Sequence, residues 1–253
     1  MPAKRSATQS EAGTHPREAS KEGIHMAVSD AMVFDVLSAC FGPTSKSDWE
    51  ALTKPTAWAD FLTAARRLLQ EQRTFGVPAA PLGHAQSATP LSDYLTKDEV
   101  RHVYAPPSFE EKQAFAARHF TGGLPASAMP VESLYVVWSD QPNAAPFTQR
   151  KGLYQSDVAL YMRDLVSSMG LTLPAELSAY PDHLSVECAV CAYLIDAGLG
   201  QQASEFWCGR TVWLTDFRAR LRTVGADAEF YLALVDVMLG IRATQVSCAK
   251  QGD

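Results

Sequence analysis

Apolar residues recur along this chain at the three- and four-residue spacing of one helix face, and no stretch alternates apolar and polar residues as a half-buried strand does. The spacing predicts a helix over 31–41 that Ser29 or Asp30 caps, and a second helix over 56–74. Further helices are predicted over 153–169, 184–197, 201–223 and 227–246. Because helices without strands bury their apolar faces against one another, we expect an all-α fold, a compact helical bundle.

The region between the second helix and residue 153 carries turn and capping signals instead of long periodic runs. Glycine and proline residues over 76–90 predict a long loop. Two capping boxes, one from Thr96 to Glu99 and one from Ser108 to Glu111, each predict the start of a short helix. The apolar stretch 134–138 is too short to show a period, and with no second strand to pair with it we expect a helical turn or an extended crossing segment.

The first 27 residues differ in composition from the rest of the chain. They are rich in Ser, Thr, Gly and Glu, and they cannot form a core, so we expect a disordered tail over 1–27. A single domain is expected over 28–253, with a possible hinge near 122–130, where glycine and proline cluster. The tail lacks the apolar central run of a secretory signal, which predicts a cytoplasmic protein.

The chain is mildly acidic, with 22 Lys and Arg residues against 28 Asp and Glu residues and a formal net charge of -6. Because an acidic surface repels phosphate backbones, nucleic acid is not an expected partner, whereas a basic partner is. The longest unbroken apolar stretch, 188–195, falls far short of the roughly 20 residues that a membrane-spanning helix needs. We therefore expect no membrane span.

Motifs that carry chemistry are few. The chain lacks the phosphate-binding and dinucleotide-binding glycine loops, the hydrolase serine elbow and the zinc-protease histidine pair, so we expect neither an enzyme nor a cofactor. Cys188 and Cys191, with His183 and Glu187, place four potential metal ligands within nine residues. A tetrahedral zinc site usually needs a second pair at comparable spacing. Buried core thiols are the favoured interpretation, and a metal or redox sensor is the alternative.

The segment Tyr180-Pro-Asp-His-Leu184 concentrates polar residues where a helix is predicted to begin. Asp182 is placed to cap that helix, and His183 to lie in its first turn, where the positive helix end disfavours a protonated ring. Two interpretations remain open at this point. The motif is either a helix cap beside a packed ring, or an exposed polar motif that binds a ligand.

This segment, with Ser185-Val-Glu187 after it, resembles the Pro-Asp-His-Leu motif of the TorD/DmsD/NarJ family of redox-enzyme maturation chaperones. Other landmarks follow the family's order over about 28–245: Arg118-His-Phe-Thr-Gly-Gly123, Pro130-Val-Glu-Ser-Leu-Tyr135, Trp213-Leu-Thr-Asp-Phe217 and Phe230-Tyr231. The resemblance implies a TorD-like chaperone that binds the twin-arginine signal peptide of a molybdenum enzyme of the dimethyl-sulfoxide-reductase type. It also implies either a monomer or a domain-swapped homodimer.

A twin-arginine signal joins a basic patch to an apolar stretch, so its receptor is expected to place carboxylates beside an apolar groove. The residues expected to form this peptide-binding site lie in two segments. They are Glu132, Ser133, Tyr135 and Trp138 in the first, and Tyr180, Pro181, Asp182, His183, Leu184 and Glu187 in the second. The alternative function suggested by relatives is binding of guanine nucleotide or molybdenum cofactor through the Pro-Asp-His motif.

Overall fold

The computed structural model describes residues 21–70, 102–122, 126–141 and 146–249. The helices in these ranges are α1 (Lys21–Phe41), α2 (Lys46–Leu52), α3 (Pro55–Gln70), α4 (Phe109–His119), α5 (Asp157–Ser168), α6 (Leu184–Asp196), α7 (Gly200–Arg210), α8 (Leu214–Arg222) and α9 (Glu229–Ala249). Short 3-10 turns lie at Glu132–Leu134, Ala175–Leu177, Thr211–Trp213 and Ala226–Ala228. No strand occurs within these ranges, and the prediction of an all-α bundle is confirmed.

Two helices begin away from their predicted positions. α1 begins at Lys21, so Ser29 and Asp30 lie inside the helix and do not cap it. α5 begins at Asp157 rather than at 153, because Gln155 has a φ angle of 56°, which a right-handed helix cannot contain. The spacing of apolar residues therefore predicted which face of each helix is buried. The residue at which the helix begins depends on backbone dihedral angles instead.

One short helix was predicted from its capping box and another was not predicted. α2 has no counterpart among the predicted helices, because its seven residues are too few to show a helical period. The capping box at Ser108 is confirmed, since its hydroxyl accepts from the Glu111 N–H and the Glu111 carboxylate accepts from the Ser108 N–H at 2.8 Å. The predicted capping box at Thr96 and the predicted loop over 76–90 lie outside the described residues.

Two predicted segments contain a 3-10 turn. The stretch 134–138 follows the turn Glu132–Leu134 and continues as irregular backbone, which matches the helical turn or crossing segment expected there. The predicted helix 201–223 is divided by the turn Thr211–Trp213 into α7 and α8. Hydrophobic spacing continues across this turn, so the break is not visible in the sequence pattern.

α6 is the central helix of the core. Its sequence is apolar around most of its circumference, as expected for a helix that is covered on several sides. One face joins the main core, which includes apolar residues from α1, α3, α4, α7, α8 and α9. Its other apolar face packs against α5 in a smaller cluster formed by Met162, Val166, Leu177, Val186 and Val190.

α1 and α6 approach each other closely where α1 ends. A Cβ atom on Gly42 would lie 2.7 Å from both Cβ and Oγ of Ser185. Gly42→Ala is therefore expected to lower the free energy of unfolding by about 1–3 kcal/mol, as overpacking does. Gly209→Ala in α7 is the matched control, because nothing lies within 4 Å of its added Cβ and alanine favours a helix. Urea unfolding measures both variants, and equal midpoints would contradict the close contact.

The division of the chain into a tail and one domain stays a prediction. α1 begins within the predicted tail 1–27, and the predicted hinge 122–130 is described except for residues 123–125. Across the described ranges, no helix is both long and apolar enough to cross a membrane.

Candidate functional site

The two predicted site segments lie against each other. Val131 and His183 form an isolated antiparallel bridge. Beside it, the N–H of Glu132 donates to the carbonyl of Asp182 at 3.0 Å. The structure therefore brings together the two segments that the sequence analysis selected, although neither is part of a sheet.

Asp182 is 1% exposed, and it is not the N-cap of α6. Its Oδ2 atom accepts hydrogen bonds from the Ser133 N–H at 2.8 Å and from the Ser133 hydroxyl. That hydroxyl lies 2.8 Å from the hydroxyl of Ser156, the N-cap residue of α5. The prediction that Asp182 caps α6 is wrong. The backbone around residue 182 pairs in antiparallel orientation with the segment that contains Ser133, so the Asp182 side chain reaches Ser133 instead of the free N–H groups of the helix. Asp182 thereby ties that segment to the start of α6.

His183 is the N-cap of α6, not a residue of its first turn as predicted. Its Nδ1 atom accepts from the Ser185 N–H at 3.2 Å and lies 2.8 Å from the Ser185 hydroxyl. Because Nδ1 accepts a backbone N–H, the ring is neutral and carries its hydrogen on Nε2. Burial lowers the pKa of His183 to about 3, so this neutral form persists at physiological pH.

Glu132, Glu187 and Arg210 form a charge cluster beneath the surface. Arg210 donates from Nη2 to Oε2 of Glu132. The carboxyl group of Glu187 faces Glu132, and its pKa is raised well above the ordinary value, first by burial and then by repulsion from Glu132. Burial and the neighbouring carboxyl group of Glu132 both favour the protonated form of Glu187.

Most of the predicted site is buried, so of the two open interpretations of the motif the exposed one does not describe it. The buried members are Glu132, Ser133, Pro181, Asp182, His183, Leu184 and Glu187. They are covered because the bridged segments enclose each other and Ser133 lies against the start of α5. A nucleotide or cofactor bound through the Pro-Asp-His motif would have to reach side chains that make their hydrogen bonds inside the protein.

The aromatic members of the predicted site are half-buried. Tyr135 stacks on Trp213 with ring centroids 5.3 Å apart. Trp138 donates from Nε1 to the carbonyl of Tyr154 at 3.3 Å, and the Tyr154 ring lies 5.4 Å from that of Tyr180. Tyr180 and Trp138 are therefore neighbours through Tyr154, whereas Tyr135 belongs to the packing against α8.

A groove of about 390 Å³ lies between α1, α6 and the segment 171–177 that follows α5. Its walls are mainly apolar and include Val166, Leu171, Leu173, Leu177, Val186 and Val190. Ser185, which contacts the His183 cap, also lines it. The groove thus adjoins the predicted motif on a face of α6 that the motif does not cover.

Two carboxylates give this groove its charge. Asp35 of α1 and Asp196 of α6 both line it, and no Lys or Arg among the described residues does. The pKa of Asp35 is raised, first by partial burial and then by the charge of Asp196. Two mutually repelling carboxylates are stabilised by a cation placed near both of them. The groove therefore combines an apolar wall with two carboxylates, and no Lys or Arg belongs to its lining as described.

The sequence analysis missed this groove. Its walls come from three parts of the chain, and one of them, 171–177, has no periodic pattern. A usable signal was present in the acidic residues Asp35 and Asp196, which lie on helices that are otherwise largely apolar. Which face of those helices stays open depends on tertiary packing.

Cys188 and Cys191 are buried in α6, and burial raises the pKa of both thiols well above the ordinary value. They lie among the apolar side chains of the main core, as small hydrophobic residues do. Within the described ranges, no group of three or more His, Cys, Asp and Glu side chains could hold a metal ion.

Among the described residues, the fold and the site define an all-α protein in which a buried polar cluster adjoins an open, mainly apolar groove. The family model of the nitrate reductase delta subunit matches residues 79–223, which is more than half of the chain and includes both site segments, so the chain belongs to this family. The predicted resemblance to the TorD/DmsD/NarJ chaperones is confirmed. Membership implies a chaperone for the maturation of a molybdoenzyme. No curated protein and no solved structure matches the chain significantly.

Proposed function

We propose that this chaperone binds the twin-arginine signal peptide of its client in the groove between α1, α6 and residues 171–177. The client is a molybdenum oxidoreductase of the dimethyl-sulfoxide-reductase type. Binding takes place in the cytoplasm and keeps the client from export while its cofactor is inserted. The observation that carries the proposal is the joining of an apolar wall to two carboxylates, Asp35 and Asp196, in one groove.

The chemistry of the groove matches both parts of such a peptide. The apolar stretch of the signal gains about 25 cal/mol for each Å² that it removes from water against the apolar wall. Arginine side chains pair with carboxylates through charge-assisted hydrogen bonds, which Asp35 and Asp196 offer. An apolar helix or an extended peptide can fill a groove between helices in this way.

The Pro-Asp-His motif supports the groove from inside the protein. His183 caps α6 and contacts Ser185, and the hydroxyl of Ser38 in α1 donates to the Ser185 carbonyl at 2.8 Å. Ser38 and Ser185 both line the groove. The buried motif therefore positions the walls, and the half-buried Tyr135, Trp138 and Tyr180 are the members of the predicted set with surface left for contact with the client.

A charge placed in the groove tests this proposal. Ala189 lines the groove and is exposed. An arginine at this position fills the groove and brings a competing cation to Asp35 and Asp196. Ala189→Arg is expected to weaken binding at least about tenfold. The matched control is Ala117→Arg, the same change at an exposed position of α4 outside the groove. Calorimetric titration with a synthetic peptide that carries an arginine pair before an apolar stretch measures both.

Two results would contradict the proposal. One is equal affinity of the folded Ala189→Arg protein and the unchanged chain, which would place the peptide elsewhere. The other is full binding of a peptide whose apolar stretch is replaced by serine, because the wall would then contribute nothing.

A further inference from the structure

The groove of the proposed function has two chemically different ends. At one end, Gly42, which follows α1, meets Ser185 at the start of α6, since a Cβ atom on Gly42 would lie 2.7 Å from the Ser185 side chain. Asp35 and Asp196 line the same groove further along the two helices and form its acidic end. From the first pair to the second, residue numbers fall along α1 and rise along α6. The two helices therefore run antiparallel, and the groove follows both.

Helix geometry gives the distance between the acidic end and the Gly42 end. Asp35 and Gly42 are seven residues apart, which corresponds to about 10 Å along α1. Ser185 and Asp196 are eleven residues apart, which corresponds to about 16 Å along α6. Ala189 lies between them, and its small side chain leaves the groove open. A polypeptide that fills the groove therefore has residues at both ends at the same time.

A buried cation lies behind the Gly42 end. Lys112 of α4 is 5% exposed, and its Nζ atom donates to the carbonyl of Gly42 at 2.8 Å. This atom also lies 5.3 Å from the centroid of the Trp49 ring. No carboxylate among the described residues forms an ion pair with Lys112. Because solvent screens a buried charge only weakly, the Lys112 charge acts on groups beyond Gly42.

The neighbours of Lys112 keep this cation in place. Trp49 donates from Nε1 to the carbonyl of Pro107 at 3.0 Å, and the capping box at Ser108 fixes the start of α4 one turn before Lys112. Lys112 does not itself line the groove, whereas Gly42 does. The ammonium group therefore acts on a bound peptide through its charge, without contact.

We propose that this difference in charge sets the orientation of the bound peptide, with Lys112 as the residue that determines specificity at the Gly42 end. Basic residues of the peptide lie at Asp35 and Asp196. The apolar stretch runs towards Gly42, where a further cation is repelled and an acidic residue is favoured. A signal whose arginine pair precedes its apolar stretch then runs in the same direction as α1. This inference rests on the proposed function and adds to it the direction of the peptide.

Peptides that differ in a single charge test the orientation. Each carries an arginine pair, an apolar stretch and one probe residue, Glu, Gln or Lys, about three to eleven residues after the pair, a range that covers extended and helical backbones. At the best position, the unchanged chain is expected to bind the Glu peptide about tenfold more tightly than the Lys peptide, with the Gln peptide between them. The net charge of -6 acts in the opposite sense, so this preference indicates a local cation.

Calorimetric titration measures these affinities. Equal affinities at every probe position, or tighter binding of the Lys peptide, would overturn the proposal. This comparison uses the unchanged chain, so it decides the orientation even if a variant of Lys112 does not fold.

Lys112→Gln assigns the preference to this cation. The glutamine amide can donate to the Gly42 carbonyl but carries no charge, so the difference between the Glu and Lys peptides is expected to fall below about twofold. Lys112→Arg keeps the charge and is expected to retain the difference. Lys151→Gln is the matched control, because Lys151 is exposed and lies outside the groove. An undiminished difference in the folded Lys112→Gln protein would contradict the role of Lys112.

Ala189→Arg separates this inference from the proposed function. If the proposed function fails, the peptide with the Gln probe binds the Ala189→Arg protein and the unchanged chain equally, and the orientation fails with it. If the orientation alone fails, Ala189→Arg weakens binding of that peptide, while the Glu and Lys peptides bind the unchanged chain equally.

Discussion

Asp182→Ala is expected to lower the free energy of unfolding by about 3 kcal/mol. Two buried donors, the N–H and the hydroxyl of Ser133, lose the acceptor that joins them to α6. Asp182→Asn keeps an oxygen in reach of both donors and loses only the charge, so its expected loss is smaller, about 1 kcal/mol. Urea unfolding followed by circular dichroism measures both variants.

The control for this prediction is Asp164→Ala. Asp164 is exposed and its ion pair is with the adjacent Arg163, so its removal is expected to change stability by less than about 0.5 kcal/mol. If Asp182→Ala unfolds at the same urea concentration as Asp164→Ala, the bond to Ser133 does not hold the two segments together. The motif would then lose its structural role.

His183→Asn is expected to make the protein less sensitive to acid. Burial lowers the pKa of His183 to about 3, from 6.5 in the unfolded chain. Between these values the unfolded chain binds a proton that the native ring does not, so stability falls as pH decreases from 6.5 towards 3. At pH 5 the loss from this residue is about 2 kcal/mol. Asparagine caps helices well and does not titrate, so the variant is expected to avoid that loss.

Unfolding in urea at pH 7 and at pH 5 tests this expectation. Carboxyl groups titrate in both proteins, so the difference between the two pH dependences isolates residue 183. His102→Asn is the control for the substitution itself, because His102 is exposed. Parallel pH dependences of the His183→Asn protein and the unchanged chain would contradict a buried, neutral ring.

The helices could be predicted because the burial of one face leaves a period in the sequence. α6 was predicted over 184–197 and extends over Leu184–Asp196. The pairing of the Pro-Asp-His segment with 130–135 was anticipated only through the family resemblance, since no local pattern relates two segments so far apart. The predicted role of Asp182 was wrong. Aspartate before a helix is a common N-cap, so the local sequence favoured that role. The antiparallel bridge, which no local pattern shows, directs the Asp182 side chain to Ser133 instead.

The sequence by itself determined the all-α class and most helix positions, because apolar periodicity and capping residues act over a few residues along the chain. It also supplied the residues of the polar motif. The tertiary structure alone decided that the motif is buried, that Arg210 meets Glu132, and that Asp35 and Asp196 share a groove. These contacts join residues that are remote in sequence, and their burial and charge follow from how helices pack, which no local pattern records.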